Sequence, residues 1–165
     1  MNPSRTLASR FRTQRTDRIR LEETEVLSLF EIHLDPPTVV EIVVEQCRHD
    51  VEEGLVLQTN GASLTPITAD AATTSATFSR VELAADFLLE PIEINVAGDT
   101  RTLLSLWNFW RWDDADHAWT GNSGIVAEEL PAPEGALHRV RMWCSDGLGN
   151  PTFDDMVAVV TIGPA

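Results

Sequence analysis

Residues 101–119 read RTLLSLWNFWRWDDADHAW and contain four of the five tryptophans of the chain. Successive side chains of an extended strand point to opposite faces. Trp107 and Phe109 therefore share one face of this stretch, and Trp110 and Trp112 share the other. Both faces are largely apolar, whereas a strand of an antiparallel sandwich ordinarily has one face in water. The stretch predicts a strand with one face in the core and the other covered by a loop, an arm or another subunit.

Two interpretations of that second face remain open. In the first, the stretch is a central core strand that its own chain covers. In the second, one face belongs to an assembly interface, because aromatic residues are enriched at interface cores. The second interpretation predicts that Phe109 or Trp110, which lie on opposite faces, contacts something outside its own sandwich core.

Segments on both sides of this stretch also have the pattern of short strands separated by turns. Residues 38–47 alternate apolar and acidic side chains, which is typical of a half-buried strand. The dipeptide Asn60-Gly61 predicts a hairpin between residues 55–59 and 62–68, because both turn residues tolerate a positive φ. Helical periodicity is nearly absent. The predicted fold class is all-β, an antiparallel two-sheet sandwich that is jelly-roll-like, with an immunoglobulin-like sandwich as the alternative.

The N-terminus differs from the rest of the chain in charge. Residues 1–20 hold six arginines and one acid, for a net charge of +5, and residues 21–165 hold six arginines and 25 acids, for a net charge of −19. This asymmetry predicts two parts, an extended arginine-rich N-terminal arm over residues 1–20 and a β-sandwich domain over residues 21–165. The arm residues expected at an interface are Arg5, Arg10, Phe11, Arg12, Arg15, Arg18 and Arg20.

All 12 basic residues are arginine, and the net charge of the chain is −14. A surface rich in carboxylates and free of lysine is typical of proteins that work at high salt, where it stays hydrated and self-repelling. Because molar salt screens charges within about 3 Å, arginine then acts by direct bidentate contact and stacking. This favours a protein neighbour as the partner of the arm, with an anionic membrane surface or nucleic acid as the alternatives.

No motif of a catalytic site is present. The four histidines fall in separate strands and turns, and there is no Gly-x-Ser-x-Gly elbow, so we expect a protein that is not an enzyme and takes no small-molecule substrate. Asp113, Asp114 and Asp116 crowd one turn, and oxygen-rich turns suit Ca²⁺ or Mg²⁺. Their spacing is not that of an EF-hand loop, so we expect solvated acids, no metal and no cofactor. Cys47 and Cys144 lie on faces of opposite character and are expected to be free thiols.

The sequence shows no membrane-directed segment. The N-terminus lacks the apolar stretch of a secretory signal. No run approaches the roughly 20 apolar residues of a transmembrane helix. We therefore expect a chain that is neither transmembrane nor secreted through a signal peptide.

An arginine-rich arm (Arg5 to Arg20) before a β-sandwich (Val26 to Ile162), on an acidic and lysine-free background, resembles a known architecture. It is that of the single jelly-roll capsid and vertex proteins of icosahedral viruses of halophilic archaea. In that family the barrels stand on an internal membrane, and arms or loops link subunits. The resemblance implies a structural virion protein whose partners are copies of itself and other virion proteins, located in the virion and, during assembly, in the host cytoplasm. A head-completion or tail subunit of a halophilic tailed virus is the first alternative.

A second resemblance is local. Residues 137–162 are similar to the last hairpin of immunoglobulin-like surface domains, in which a strand enters an Asp-x-x-Gly-Asn turn and a valine-rich strand follows. The chain departs from that family in having no tyrosine, and hence no tyrosine corner. This resemblance implies a ligand- or carbohydrate-binding module, with Trp107, Trp110 and Trp112 as a stacking platform.

Overall fold

The computed structural model describes residues 6–67, 79–85 and 90–165, which form an antiparallel sandwich of two β-sheets. The predicted all-β, two-sheet fold class is confirmed. The choice between a jelly-roll and an immunoglobulin-like arrangement stays a prediction. The elements are α1 (Leu7–Gln14), β1 (Arg18–Leu21), β2 (Thr24–Leu27), β3 (Phe30–Leu34), β4 (Thr38–Gln46), β5 (Glu52–Thr59), β6 (Ser63–Ile67), β7 (Arg80–Ala84), β8 (Ile92–Ala97), β9 (Thr102–Trp112), β10 (Ala115–His117), β11 (Gly124–Glu129), β12 (His138–Ser145) and β13 (Met156–Pro164).

The two sheets differ in size. Among the described residues, the larger sheet has the strand order β1-β2-β11-β12-β13-β4-β8-β6, and the smaller one has the order β10-β9-β5-β7. Strand β9 pairs with β5 along one edge. Its other edge is shared, because β3 pairs with the first half of β9 and β10 pairs with its last residues. The tryptophan-rich stretch is thus a strand at the centre of the smaller sheet.

The core lies between the sheets. Leu104 and Leu106 project from the inner face of β9 and are fully buried, together with Leu55 and Leu57 of the neighbouring strand β5. The facing strands of the larger sheet contribute apolar side chains at alternate positions, as the period of two requires. They include Val40, Ile42, Ile94, Val96, Ile125, Met142, Ala158 and Val160.

The prediction of an extended N-terminal arm is wrong for residues 6–20, and residues 1–5 lie outside the described part of the chain. Residues 7–14 form helix α1, and residues 18–21 form the edge strand β1 of the larger sheet. Leu7 and Phe11 are four residues apart, so they share one helical face, and that face is buried with Ile19 and Val26 in a small apolar cluster. Packing of this apolar face against the sheet stabilises the helix, whereas a short segment in water would stay largely unfolded.

The predicted hairpin at Asn60-Gly61 is also wrong. The turn has the expected positive φ at Gly61 (91°), but it carries the chain from β5 in the smaller sheet to β6 in the larger one. A turn signal reports that the chain reverses, and the pairing partners decide which sheet receives the next strand.

A tight hairpin occurs instead between β9 and β10. Trp112 pairs with Ala115, and the two residues between them have left-handed backbones, with φ of 51° at Asp113 and 60° at Asp114. Positive φ at both central residues is the geometry of a type I′ turn, which matches the twist of two antiparallel strands. In the described part of the chain, no helix has the length and apolar character needed to cross a membrane.

Candidate interaction groove

An open groove of about 690 Å³ lies between helix α1 and Trp119, at the side of the sandwich where the chain passes from β2 to β3. We call it the α1 groove. Helix α1 forms one wall, the ring of Trp119 and the β2–β3 connection form the other, and the residues after α1 close one end. Its lining residues are Ala8, Phe11, Arg12, Arg15, Thr16, Asp17, Ser28, Leu29 and Trp119.

Two hydrogen bonds hold α1 against the loop that follows Trp119. The backbone N–H of Leu7 donates to Asn122 Oδ1 at 3.1 Å, and the N–H of Ala8 donates to the carbonyl of Gly121 at 3.0 Å. These N–H groups belong to the first turn of the helix, where they have no partner inside the helix. The groove therefore has two walls that are joined to each other at one end.

Trp119 is fixed in position although it is 44% exposed. Its ring centroid lies 4.8 Å from that of Trp107, and its Nε1 donates to the carbonyl of Ser28 at 3.0 Å. Trp107 also has the guanidinium of Arg80 over its ring, at 5.5 Å from the centroid. One part of the Trp119 ring thus covers the outer face of β9, and the rest faces the groove.

The arginines that were predicted as interface residues fall into two groups, and the first is engaged within the chain. Arg18 pairs with Glu25 and Arg20 pairs with Glu23, each at 3.3 Å. Arg10 donates through Nη2 to the carbonyl of Arg20 at 2.7 Å. Exposed pairs of this kind contribute little to stability, but they do occupy these side chains.

Arg12 and Arg15 form the second group, and both line the α1 groove. Both are exposed, and neither forms an ion pair with an acidic residue in the described part of the chain. Asp17 also lines the groove, so its charged residues sum to +1 on a chain with a net charge of −14. Arg5 lies outside the described residues.

The aromatic residues predicted at an interface are mostly covered by their own chain. Trp107, Phe109 and Trp110 are 5%, 4% and 2% exposed. Trp110 packs beneath Gly147, where an added Cβ would come within 2.2 Å of its ring, and it stacks on His117 at 6.0 Å. Trp107 and Trp110 lie on opposite faces of β9, so these residues form no common stacking platform. Contact of Phe109 or Trp110 with another molecule stays a prediction.

Trp112 differs from these three, since it is 49% exposed at the end of β9. The turn residues Asp113 and Asp114 beside it are also exposed, while Asp116 accepts from Arg111 Nε at 2.7 Å. Across the described residues, no three His, Cys, Asp or Glu side chains are arranged so that they could hold a metal ion. The hairpin therefore presents an exposed ring next to two solvated carboxylates.

The sequence interpretation missed a buried charge network at the start of β5. Arg48 Nη1 donates to Asp146 Oδ2 at 2.9 Å, and Asp146 is fully buried. The backbone N–H of Arg48 donates to Glu53 Oε2 at 3.0 Å, and the N–H of Asp146 donates to Asp155 Oδ2 at 2.9 Å. Asp50 adds an ion pair to the exposed side of Arg48.

Burial dominates the electrostatics of this network. It raises the pKa of Glu53 to about 7, and the nearby negative charges of Asp146 and Asp155 act in the same direction. Burial likewise raises the pKa of Asp155, and the hydrogen bond that the Arg48 guanidinium donates to Asp50 raises the pKa of Arg48. One signal was available in the sequence, because Glu53 shares the inner face of β5 with apolar residues. The residues that interact with Glu53, up to 102 positions away, carried no signal.

Neither cysteine forms a disulfide, as predicted. Cys144 is buried in the core, where burial raises the pKa of its thiol, and Cys47 is half-buried.

Comparisons with protein-family models, with curated proteins and with solved structures found no match to this chain.

Proposed function

We propose that this protein is a structural subunit of a virus particle of halophilic archaea, and that it assembles through the α1 groove with copies of itself and with other virion proteins. The observation that carries the proposal is the groove itself. It combines exposed aromatic and apolar surface with two arginines that have no acidic partner in the described residues. Apolar patches bordered by polar residues mark interaction sites.

The charge of the chain supports an assembly role at high salt. A chain with 26 acids and 12 arginines repels its own copies at low ionic strength. Molar salt removes that repulsion and strengthens the burial of apolar surface. Contacts made by arginine and tryptophan at short range persist under these conditions, because they do not depend on long-range attraction.

The fold supports the same role. The charge network around Arg48 and Glu53 links β5 to the β12–β13 loop. Such a link holds neighbouring elements together, and a subunit of a shell or tail requires a stable folded body. A capsid or vertex subunit and a head-completion or tail subunit would use the same contacts, and the shape of the assembly distinguishes them.

The test is the assembly state of the full chain. Light scattering and electron microscopy at 0.2 M and at about 3 M NaCl should show particles larger than the 18.3 kDa monomer, at least at the higher salt. Trp119→Ala should weaken this assembly. Leu137→Ala, which removes an exposed apolar side chain elsewhere, is the matched control and should not. A chain that stays monomeric at every salt and protein concentration would contradict the proposal.

A ligand-binding module is the second candidate, favoured by one observation. The volume of the α1 groove lies within the range of small-molecule sites, roughly 300–1,000 Å³, and Trp119 offers an exposed ring for stacking. This candidate predicts a monomer whose tryptophan fluorescence changes when a sugar from a test panel is added. The change should disappear in Trp119→Ala and persist in Trp112→Ala.

A further inference from the structure

We infer that the α1 groove receives the β9–β10 hairpin of a second copy of this chain. Trp112 of the second copy enters the apolar part of the groove beside Trp119. Asp113 and Asp114 then face Arg12 and Arg15, which form no ion pair within the described residues. The inference rests on the proposed function and deepens it, because it names the two surfaces that meet when copies assemble.

The groove offers what an acidic aromatic segment needs. Phe11, Leu29 and Trp119 supply apolar lining, and Arg12 and Arg15 supply the positive charge at its border. A tryptophan side chain buries about 150–250 Å² on entering such a site, and an opening of about 690 Å³ has room for it. Arginine pairs bidentately with carboxylates.

The hairpin offers the complement. Trp112 is 49% exposed, which makes it one of the four large hydrophobic residues that stay strongly exposed in the described chain. Asp113 and Asp114 beside it are exposed and form no hydrogen bond or ion pair in the described residues. The tip therefore carries one ring and two free carboxylates, in a turn of fixed geometry.

Backbone conformation links the two surfaces. Six described non-glycine residues have a positive φ, and four of them are Arg15 and Trp119 in the groove and Asp113 and Asp114 in the tip. A left-handed backbone costs a non-glycine residue about 1–2 kcal/mol, and such residues concentrate at functional sites. Glycine would relieve that cost at each position but would remove the side chain that the contact uses.

The hairpin cannot fill the groove of its own chain. Its strands are paired from Trp110–His117 to Trp112–Ala115, and Asp116 is held by Arg111. The groove lies beside the β2–β3 connection, and the first residue of β3 pairs with Leu106. Leu106 is six residues before Trp112, which is about 20 Å along a strand. The contact must therefore join two molecules.

Two different surfaces meet in this contact. If each copy fills the groove of the other, the interface is isologous and closes a two-fold dimer. If the contact is not reciprocal, it is heterologous and continues into a ring or a filament. Both outcomes suit a subunit of a symmetric particle.

The test uses charge reversal on the full chain. Arg12→Glu/Arg15→Glu reverses the groove, and Asp113→Arg/Asp114→Gly reverses the tip while glycine preserves the turn. Each variant alone should raise the protein concentration at half-association by about tenfold or more, because like charges then face each other. An equimolar mixture should restore association to near the wild-type level, since every groove then finds an oppositely charged tip. Arg101→Glu/Arg139→Glu, with the same charge change elsewhere, should leave association unchanged.

Sedimentation velocity on each sample gives the result, and circular dichroism confirms that each variant is folded. If the mixture associates as weakly as either variant alone, or if the tip variant associates like the wild type, the hairpin is not the occupant of the groove. In that case the proposed assembly role stands as long as the wild type associates. A wild type that is monomeric throughout would overturn both proposals.

Discussion

Two groups of arginines in this molecule have opposite environments. Arg48 is surrounded by carboxylates and pairs with Asp146, a residue with no exposed surface. Arg12 and Arg15 lie in an open groove and pair with no described acid. Six of the eleven described arginines form an ion pair with an acidic side chain, and Arg12 and Arg15 are among the five that do not. Pairing together with position in the groove separates an arginine that stabilises the fold from one that is available for binding.

The largest effect on stability should come from breaking the ion pair between Arg48 and Asp146. Arg48→Ala leaves the buried Asp146 without its cation, and removal of one partner of a buried pair costs about 3–5 kcal/mol. Denaturant unfolding at a fixed salt concentration measures this loss. Arg18→Ala is the control, because the Arg18–Glu25 pair is exposed and should cost at most about 1 kcal/mol. Equal losses in the two variants would mean that the Arg48 network is not structural.

The next effect concerns the apolar anchor of the groove wall. Phe11→Ala removes a ring from the small cluster that holds α1 on the larger sheet. We expect a loss of about 2–4 kcal/mol, near the lower end of values for buried phenylalanine, and faster hydrogen exchange in residues 7–14. Gln14→Ala, an exposed change in the same helix, should do neither. If Phe11→Ala left both properties unchanged, α1 would not be part of the folded body.

A smaller effect tests the pH dependence of the buried network. The pKa of Glu53 is about 7 in the folded chain, against an ordinary value of 4.5. A raised pKa gives stability that is present below pH 4.5 and is lost as the pH rises through 7. Glu53→Gln should therefore stabilise the protein by about 1–3 kcal/mol at pH 8 and leave it nearly unchanged at pH 4.

Thermal unfolding of the wild type and of Glu53→Gln between pH 4 and pH 8 gives the slope of stability against pH for each protein. Part of the slope should remain, because the pKa of Asp155 is also raised by burial. Glu52→Gln, next to it but half-exposed and paired with Arg111, should not gain stability at pH 8. A wild-type protein that is most stable at pH 8 would reverse the sign and contradict the buried state of Glu53.

The smallest effect on stability should come from replacing the groove arginines Arg12 and Arg15. Arg12→Gln/Arg15→Gln removes two charges that form no ion pair in the described residues. The free energy of unfolding should therefore change by no more than about 1 kcal/mol, the size of a helix-dipole contribution. The same variant should associate more weakly than the wild type. A large loss of stability would show that these arginines have structural partners, and the contrast with Arg48 would fail.

Local pattern was enough to predict the longer strands. β9 follows from its run of apolar residues, and β4 from its alternation. Helix α1 was within reach, because the spacing of Leu7 and Phe11 and the capping side chain of Thr6 are local signals. The density of arginine outweighed those signals and led to the prediction of an extended arm.

The candidate site could not be predicted from local sequence pattern. The α1 groove exists because Trp119 packs on Trp107 and because α1 bonds to the loop at Gly121, and both contacts depend on the assembled sheets. Arg12 and Arg15 were predicted as binding residues, but what distinguishes them from Arg18 and Arg20 is the absence of a described acidic partner. Pairing across a fold is a property of positions in space, so the sequence alone left these arginines alike.

Hydroxyl-radical footprinting of side chains tests the central claim most directly, since it reads solvent access without any substitution. The dilute monomer and the concentrated assembly are exposed under the same conditions, and oxidation is located by mass spectrometry. We predict that Trp112 and Trp119 both become protected on assembly, while Leu137, the most exposed large hydrophobic residue described, reacts equally in both states. If Trp112 and Trp119 stay as reactive in the assembly as in the monomer, the copies meet elsewhere and the groove is not the assembly surface.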